Sequence, residues 1–405
     1  MGKIKEIKVR KIFDSRGNIT CEVSVKTDKA EASASSPSGA SIGKNEKPSF
    51  PKKGVDFAIQ NFEKIKKKFI GMESSQQKDI DLEVEKLTND LELIGANIST
   101  AFSFAIAKVN AIEEGVELFE YVHKKFGLKN KFAIPKPLGN IFGGGMHSNN
   151  STTIQEFLVA SNAKSFFDAC YENILVHKET GRQLQNLLKN QSIGLEDEKA
   201  WTAAIDDFAA LTLVRAAKEK VEKERKTSIS LGLDVAATFF FDGKNYVYRN
   251  RNLDSTMQID FLVALIEQNN IEILEDPLHE DDFDSFKKLT KAVGKKVLIV
   301  GDDLYATNPK KIEMGAKKHL TNAVLIKPNQ VGNLTRTVEA FKVCEKYKLK
   351  TIVSHRSGET TDNYIAHLAV AFGSSYIKTG TIGGERVAKL NELCRIEELL
   401  KKGQR

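Results

Sequence analysis

Five ionisable residues in the second half of the chain each stand at the end of a short apolar run: Glu275 after IEIL, Asp302 after VLIVG, Lys327 after AVLI, His355 after TIVS and Lys378 after SYI. Successive gaps of 27, 25, 28 and 23 residues each match one strand–loop–helix–loop unit. An earlier run, SISLGLD, ends in the same way on Asp234. If these runs are parallel strands of one closed sheet, their terminal side chains surround a single mouth, the place where a (β/α)8 barrel carries its chemistry.

The residue types suggest what that chemistry is. Singly, Asp234, Glu275 or Asp302 would cap a turn or a helix. Three carboxylates at the same end of neighbouring strands repel one another unless a cation sits among them. Hard oxygen donors without Cys or His favour magnesium over zinc. Lys327, at the end of a very apolar strand, suits a general base if its charge is suppressed, although a lysine more often snorkels to the surface. Asn329 and Gln330 just beyond it favour the functional reading. His355, Arg356 and Ser357 set an imidazole, a guanidinium fork and a hydroxyl on consecutive loop residues, an arrangement suited to phosphate or carboxylate. Lys378 adds a further cation at the same rim. Upstream, FGGGMHSNN offers His147 beside a run of glycines, and Gln155 and Glu156 follow in a strand. The acids Glu196, Asp197 and Glu198 read as lying just before a helix, where negative charge is favoured for structural reasons alone.

The elements that must position these groups fall into two blocks. Residues 3–34 alternate as three strands, with Asp14-Ser15-Arg16-Gly17-Asn18 forming the first turn. A small-residue loop, SSPSGASIGKNE (35–46), and helical patterns around 55–65 and 98–114 complete a small α+β domain. The proline-bearing stretch 127–137 is the expected linker, so we expect an N-terminal capping domain over 1–130 and a catalytic barrel over 131–405. Candidate barrel strands lie near 138–142, 154–160, 229–235, 271–275, 297–301, 323–327, 350–354 and 375–378. Too few residues separate the first two for a helical crossover, which points to antiparallel pairing there.

Bulk properties narrow the class. At 405 residues the chain exceeds one ordinary core. A net charge of +7 is dispersed as lysines, without the aromatic–basic stripe of a nucleic-acid surface, and can help attract an anionic substrate. The apolar runs are too short for a membrane span, and the N-terminus lacks a signal-peptide core. Met-Gly is followed by Glu6 where myristoylation requires Ser or Thr. The four cysteines are scattered without metal spacing, the pattern of reduced thiols in a cytoplasmic protein.

In order along the chain, DSRGN (14–18), PSGASIG (37–43), QEF (155–157), LDVAAT (233–238), LEDPL (274–278), GDDL (301–304), TNP (307–309), LIKPNQVG (325–332), SHRSGET (354–360), IKTG (377–380) and RIEE (395–398) resemble the enolase family nearly end to end. IGGERVAKLNEL (382–393) and EDEKAW are most similar to its archaeal branch. The resemblance implies an α/β fold, a (β/α)8 barrel with an early antiparallel strand preceded by a small α+β capping domain. It implies dehydration of 2-phosphoglycerate, a small phosphorylated three-carbon acid, to phosphoenolpyruvate, in a homo-oligomer of two or more subunits. It implies two magnesium ions: Asp234, Glu275 and Asp302 on the first, and Ser41, in the loop that closes over substrate, on the second. Lys327 matches the base, Glu198 the acid with Glu156 in support, Lys378 a substrate-carboxylate contact, and Arg356 and Ser357 the phosphate contacts. His147, Glu156 and His355 match pocket positions. The pairing of a Lys or His base with magnesium belongs to what is generally described of that superfamily, not to the spacing. The chain departs from the pattern at Ile42, where the family has Thr, at Lys199, where it has Gly after Asp-Glu, and at Met146 and Ser148 around His147. An alternative register would give Glu196 the acid role, although Ala200-Trp201 favours Glu198. Lys199 and Ile42 also motivate a second reading, an enolase-like scaffold or surface-binding protein with weakened catalysis.

Overall fold

The computed structural model describes residues 2–39, 44–148, 150–189 and 192–403. The alternating N-terminal segments form an antiparallel sheet of β1 (Ile4–Phe13), β2 (Ile19–Thr27) and β3 (Glu31–Ser36). Its turn is closed by Asp14, whose Oδ1 accepts the N–H groups of Arg16 (2.9 Å) and Asn18 (2.8 Å). One face of the sheet, with Ile7, Val23, Val25 and Ala34, is buried. It packs on the helix Gly95–Glu114, whose own side chains are buried nearly all round. A helix apolar on every side must be a domain's central element, and this one is.

The barrel uses β4 (Lys136–Gly143), β5 (Glu156–Ser161), β8 (Ile229–Asp234), β11 (Ile271–Glu275), β12 (Leu298–Gly301), β13 (Ala323–Ile326), β14 (Lys350–Ser354) and β15 (Tyr376–Lys378). The numbering leaves room for two short hairpins, β6 (Gly194–Leu195) with β7 (Trp201–Thr202) and β9 (Tyr246–Tyr248) with β10 (Arg251–Leu253). Pairing between β15 and β4 closes the eight-stranded sheet. β5 runs antiparallel to both β4 and β8, and the remaining pairs are parallel. The early antiparallel strand goes with its 12-residue connection, Gly144–Gln155, which holds only a short turn at Gly145–His147 and no crossover helix. Inside the barrel, Leu138, Leu158, Ala160, Ile273, Val300, Ala323, Leu325 and Ile352 form their own buried cluster, so the barrel is a filled core and not a pore. Helices such as Phe166–Leu187, Asp207–Arg225 and Leu334–Tyr347 cover the outside. Among the described residues no helix is long and apolar enough to cross a membrane.

One expectation is corrected. Glu196, Asp197 and Glu198 do not precede a helix directly. They form the tip of the β6–β7 hairpin, whose root joins the barrel sheet where Trp201 pairs with Phe142. The next helix starts at Asp207 and has its own cap, Asp206, whose side chain accepts the N–H of Ala209. The acids therefore serve the hairpin and not a helix N-terminus.

Candidate active site

The parallel register places the strand-end residues at one level: Glu275 is paired with Asp234, and Lys378 with Ser354, one residue before His355. A pocket at that rim is lined by His147, Glu156, Glu198, Asp234, Asp302, Lys327, His355, Arg356, Ser357 and Lys378. Glu275 adjoins this lining through its contact with Lys378. Ser41 and Ile42 lie outside the described residues.

Two ammonium groups organise the carboxylates. Lys378 Nζ is 2.9 Å from Asp234 Oδ2, 2.8 Å from Glu275 Oε2 and 3.3 Å from Glu156 Oε2. Burial works against its charge, but the three carboxylates outweigh burial and hold its pKa well above the ordinary lysine value. Lys327 Nζ makes a short contact with Asp302 Oδ2, and Gln330 Nε2 donates to Asp302 Oδ1 (2.9 Å). Burial opposes the Lys327 charge too, yet Asp302 keeps its pKa raised. Glu275 is pushed up to about 8, first by burial and then by the charge of Asp234. Asp276 and Asp303 lie with Asp302 in a tight acidic group, their ligand atoms within 4.8 Å of one another. Asp276 supports the Asp302 backbone, accepting the N–H of Asp302 (3.0 Å) and of Asp303 (2.7 Å).

This arrangement fits a divalent cation. Oxygens of Asp234 and Glu275, from adjacent strands, already converge on one positive charge, and the donor set is all oxygen. The two ammonium groups offset the burial of these carboxylates only in part: Asp302, beside Lys327, is held below its ordinary value, while Glu275 and Asp276 stay raised.

The opposite sector holds the hairpin acids. Glu196 is turned back on its own loop, where its carboxylate accepts the N–H groups of Glu198 and Ala200, both at 2.8 Å. Glu198 faces the pocket, its Oε2 3.2 Å from His355 Nε2. Arg386 donates to His355 Nδ1 (2.8 Å), which leaves the ring hydrogen on Nε2, facing Glu198. Burial drives His355 down to about 3, so it is neutral. Burial would raise Glu198, but the N–H that His355 turns toward it and the charge of Arg386 help hold its pKa well below the ordinary value. His147, Glu156 and Glu198 form a second close group. Burial sends Glu156 well above the ordinary range even though Lys378 opposes it.

The predicted anion clamp is divided. Arg356 pairs with Glu46 (2.8 Å) and donates to Asn329 Oδ1 (3.0 Å), while His355 points to Glu198 and Arg386. Ser357 lines the pocket. Sequence reasoning missed Glu46, Asp276, Asp303 and Arg386. Asp276 and Asp303 could have been found, since each directly follows a strand-end acid.

Comparison with known proteins decides the family. The family described as "Enolase, C-terminal TIM barrel domain" matches residues 131–404, and "Enolase, N-terminal domain" matches residues 4–122. The chain belongs to the enolase family. An enolase of Picrophilus torridus is 47% identical over 401 residues, covering 98% of this chain and 99% of its own. An enolase of Thermoplasma acidophilum is 44% identical, with 98% of each chain covered, and that of Archaeoglobus fulgidus is 42% identical at the same coverage. Within this enolase fold Lys199 takes a left-handed backbone, φ +68°. That conformation costs a non-glycine residue about 1–2 kcal/mol. Part of the cost is offset because lysine restricts the unfolded chain more than glycine does. Lys199→Gly is therefore expected to raise stability by about 0.5–1 kcal/mol, read as a higher urea midpoint at unchanged m-value. A lower midpoint would show that the Lys199 side chain contributes more than its backbone costs.

Proposed function

We propose that this chain is a working enolase that reversibly dehydrates 2-phosphoglycerate to phosphoenolpyruvate, with Lys327 as base and Glu198 as acid. The observation that carries this reading is that a lysine and a carboxylate from different sectors of the rim face one pocket, with a carboxylate cluster suited to a cation beside them. A surface scaffold would have no use for this buried ionic arrangement, which is costly to assemble.

Asp234, Glu275 and Asp302 would hold the first of two magnesium ions, the second arriving with substrate. Bound there, the metal supplies the positive charge that offsets the second negative charge appearing on the substrate carboxylate when C2 loses its proton. The remaining work belongs to side chains. Lys327 removes the C2 proton. While Asp302 and Glu275 face it the amine stays protonated, and once both carboxylates are engaged by a cation, burial and the charges of Arg356 and Lys378 favour the neutral base. Arg356 and Ser357 hold the phosphate, which competes with Glu46 for the guanidinium. Lys378 contacts the substrate carboxylate. Glu198 protonates the departing C3 hydroxyl, with Glu156, in the same close group, in support. His147 and His355 line the pocket, with His355 orienting Glu198. We also take the enzyme to be a cytoplasmic homo-oligomer, a dimer or larger, a point that light scattering decides.

The test is formation of phosphoenolpyruvate from 2-phosphoglycerate, followed by its ultraviolet absorbance, with and without magnesium. Chelation with EDTA is expected to abolish turnover and added magnesium to restore it. A wild-type protein inactive with saturating metal, or fully active after exhaustive chelation, rejects the reading.

A further inference from the structure

The DSRGN turn has no part in the proposed chemistry, yet it touches both halves of the barrel mouth. On one side Ser15 N–H donates to Glu359 O (2.8 Å), Ser15 Oγ donates to Ser357 O (3.2 Å) and Glu359 N–H donates to Ser15 Oγ (3.0 Å). Gly358 lies so close that a Cβ there would come within 2.4 Å of Asp14 Oδ2. On the other side Arg16 Nε is 2.9 Å from Asp197 Oδ2, one residue before Glu198. The hairpin root is tied to the barrel, with Trp201 paired to Phe142 and its Nε1 donating to His177 O (2.8 Å). Arg16 is thus a link from the capping domain to the hairpin tip, and the Asp14 bonds that close the turn fix where the Arg16 stem begins.

We propose that Arg16 and Asp197 are positioning residues: the β1–β2 turn acts as a strut that sets the distance between the loop bearing Ser357 and the hairpin bearing Glu198. This rests on the assignment of Glu198 as the acid. The pair itself is partly exposed, with side chains 31% and 33% accessible, so its contribution to global stability is small. Its effect should fall on geometry at one step, because small displacements of a reacting group are costly to rate. The base directly follows β13 and is not touched by the strut.

The experiment measures C2 hydrogen–deuterium exchange and water loss separately in Arg16→Gln, Asp197→Asn, the double variant and Arg16→Lys. Water loss is expected to fall about tenfold in each single variant while C2 exchange stays within about twofold of wild type. The double variant should be no worse than either single one, since both remove the same contact. Arg16→Lys should recover part of the loss. Equal falls in both steps, no fall in either, or additive losses in the double variant would each overturn the strut. A wild-type protein that neither exchanges nor dehydrates would overturn the enolase reading and the strut with it. A Glu198→Gln variant that dehydrates normally would reject the acid assignment alone, and with it the strut's purpose.

Discussion

Lys327→Ala is expected to lose C2 proton exchange and to reduce turnover about a thousandfold, within the range for removing a positioned acid–base group. The expectation follows from place and surroundings together. Lys327 is fixed by the end of β13 and by a backbone bond, its N–H donating to Thr307 Oγ1 (2.9 Å). Burial and two further cations, Arg356 and Lys378, favour the neutral form of its amine, and two carboxylates, Asp302 and Glu275, oppose them and keep its pKa raised while no cation engages them. The measurement is deuterium uptake at C2 of 2-phosphoglycerate, followed by mass spectrometry, with a thermal melt to show that the variant is folded. Exchange at the wild-type rate in folded protein would remove Lys327 from the role of base. Lys327→Arg should not restore exchange, since a guanidinium stays protonated at any working pH.

The strand-end residues were legible because a barrel imposes a fixed rhythm. Each apolar run is a strand filling the core, and the first polar residue after it must emerge at the rim. Glu275, Asp302, Lys327, His355 and Lys378 could be read in that way without knowing any partner. The antiparallel β5 was legible from a connection too short for a helix. The hairpin around Glu198 was not, because two-residue strands carry no periodic signal and clustered acids also suit a helix start. Arg386 was hidden for a different reason. It lies in the helix Gly384–Gly403, where an arginine ordinarily reads as a solvated face, yet it is fully buried and donates to His355 Nδ1, Arg356 O and Ser357 O. Glu46 lies in the other domain, so only tertiary structure could bring it to Arg356. Local pattern shows what a segment places at its own end, and it does not show what another segment brings there.

Glu198→Gln should separate the two halves of the reaction. C2 exchange is expected to continue within about threefold of wild type, while water loss falls about a thousandfold, the loss of one general acid. Glutamine keeps the size of the side chain and can still accept from His355, so the pocket should stay assembled and only the transferable proton disappears. Glu196→Gln is the companion variant because sequence register alone left both acids open. Burial, reinforced by the charge of Glu198, raises Glu196 to about 8, which on acidity alone would suit a proton donor near neutrality. Geometry argues the other way: its carboxylate oxygens are taken by the backbone N–H groups of Glu198 and Ala200, which shape the hairpin tip. Replacing it with glutamine exchanges one of those acceptors for a donor facing an N–H, so the expected result is a loosened hairpin and a loss of roughly tenfold or less. The decisive quantity is the ratio of exchange to dehydration, since a loosened pocket lowers both and a missing proton lowers one. A selective loss of dehydration in Glu196→Gln with Glu198→Gln near wild type would transfer the acid role to Glu196. Geometry outranks acidity in this choice because the Glu198 carboxylate faces the pocket beside His355, whereas that of Glu196, although 3.7 Å from His147, is held by two backbone N–H groups of its own hairpin.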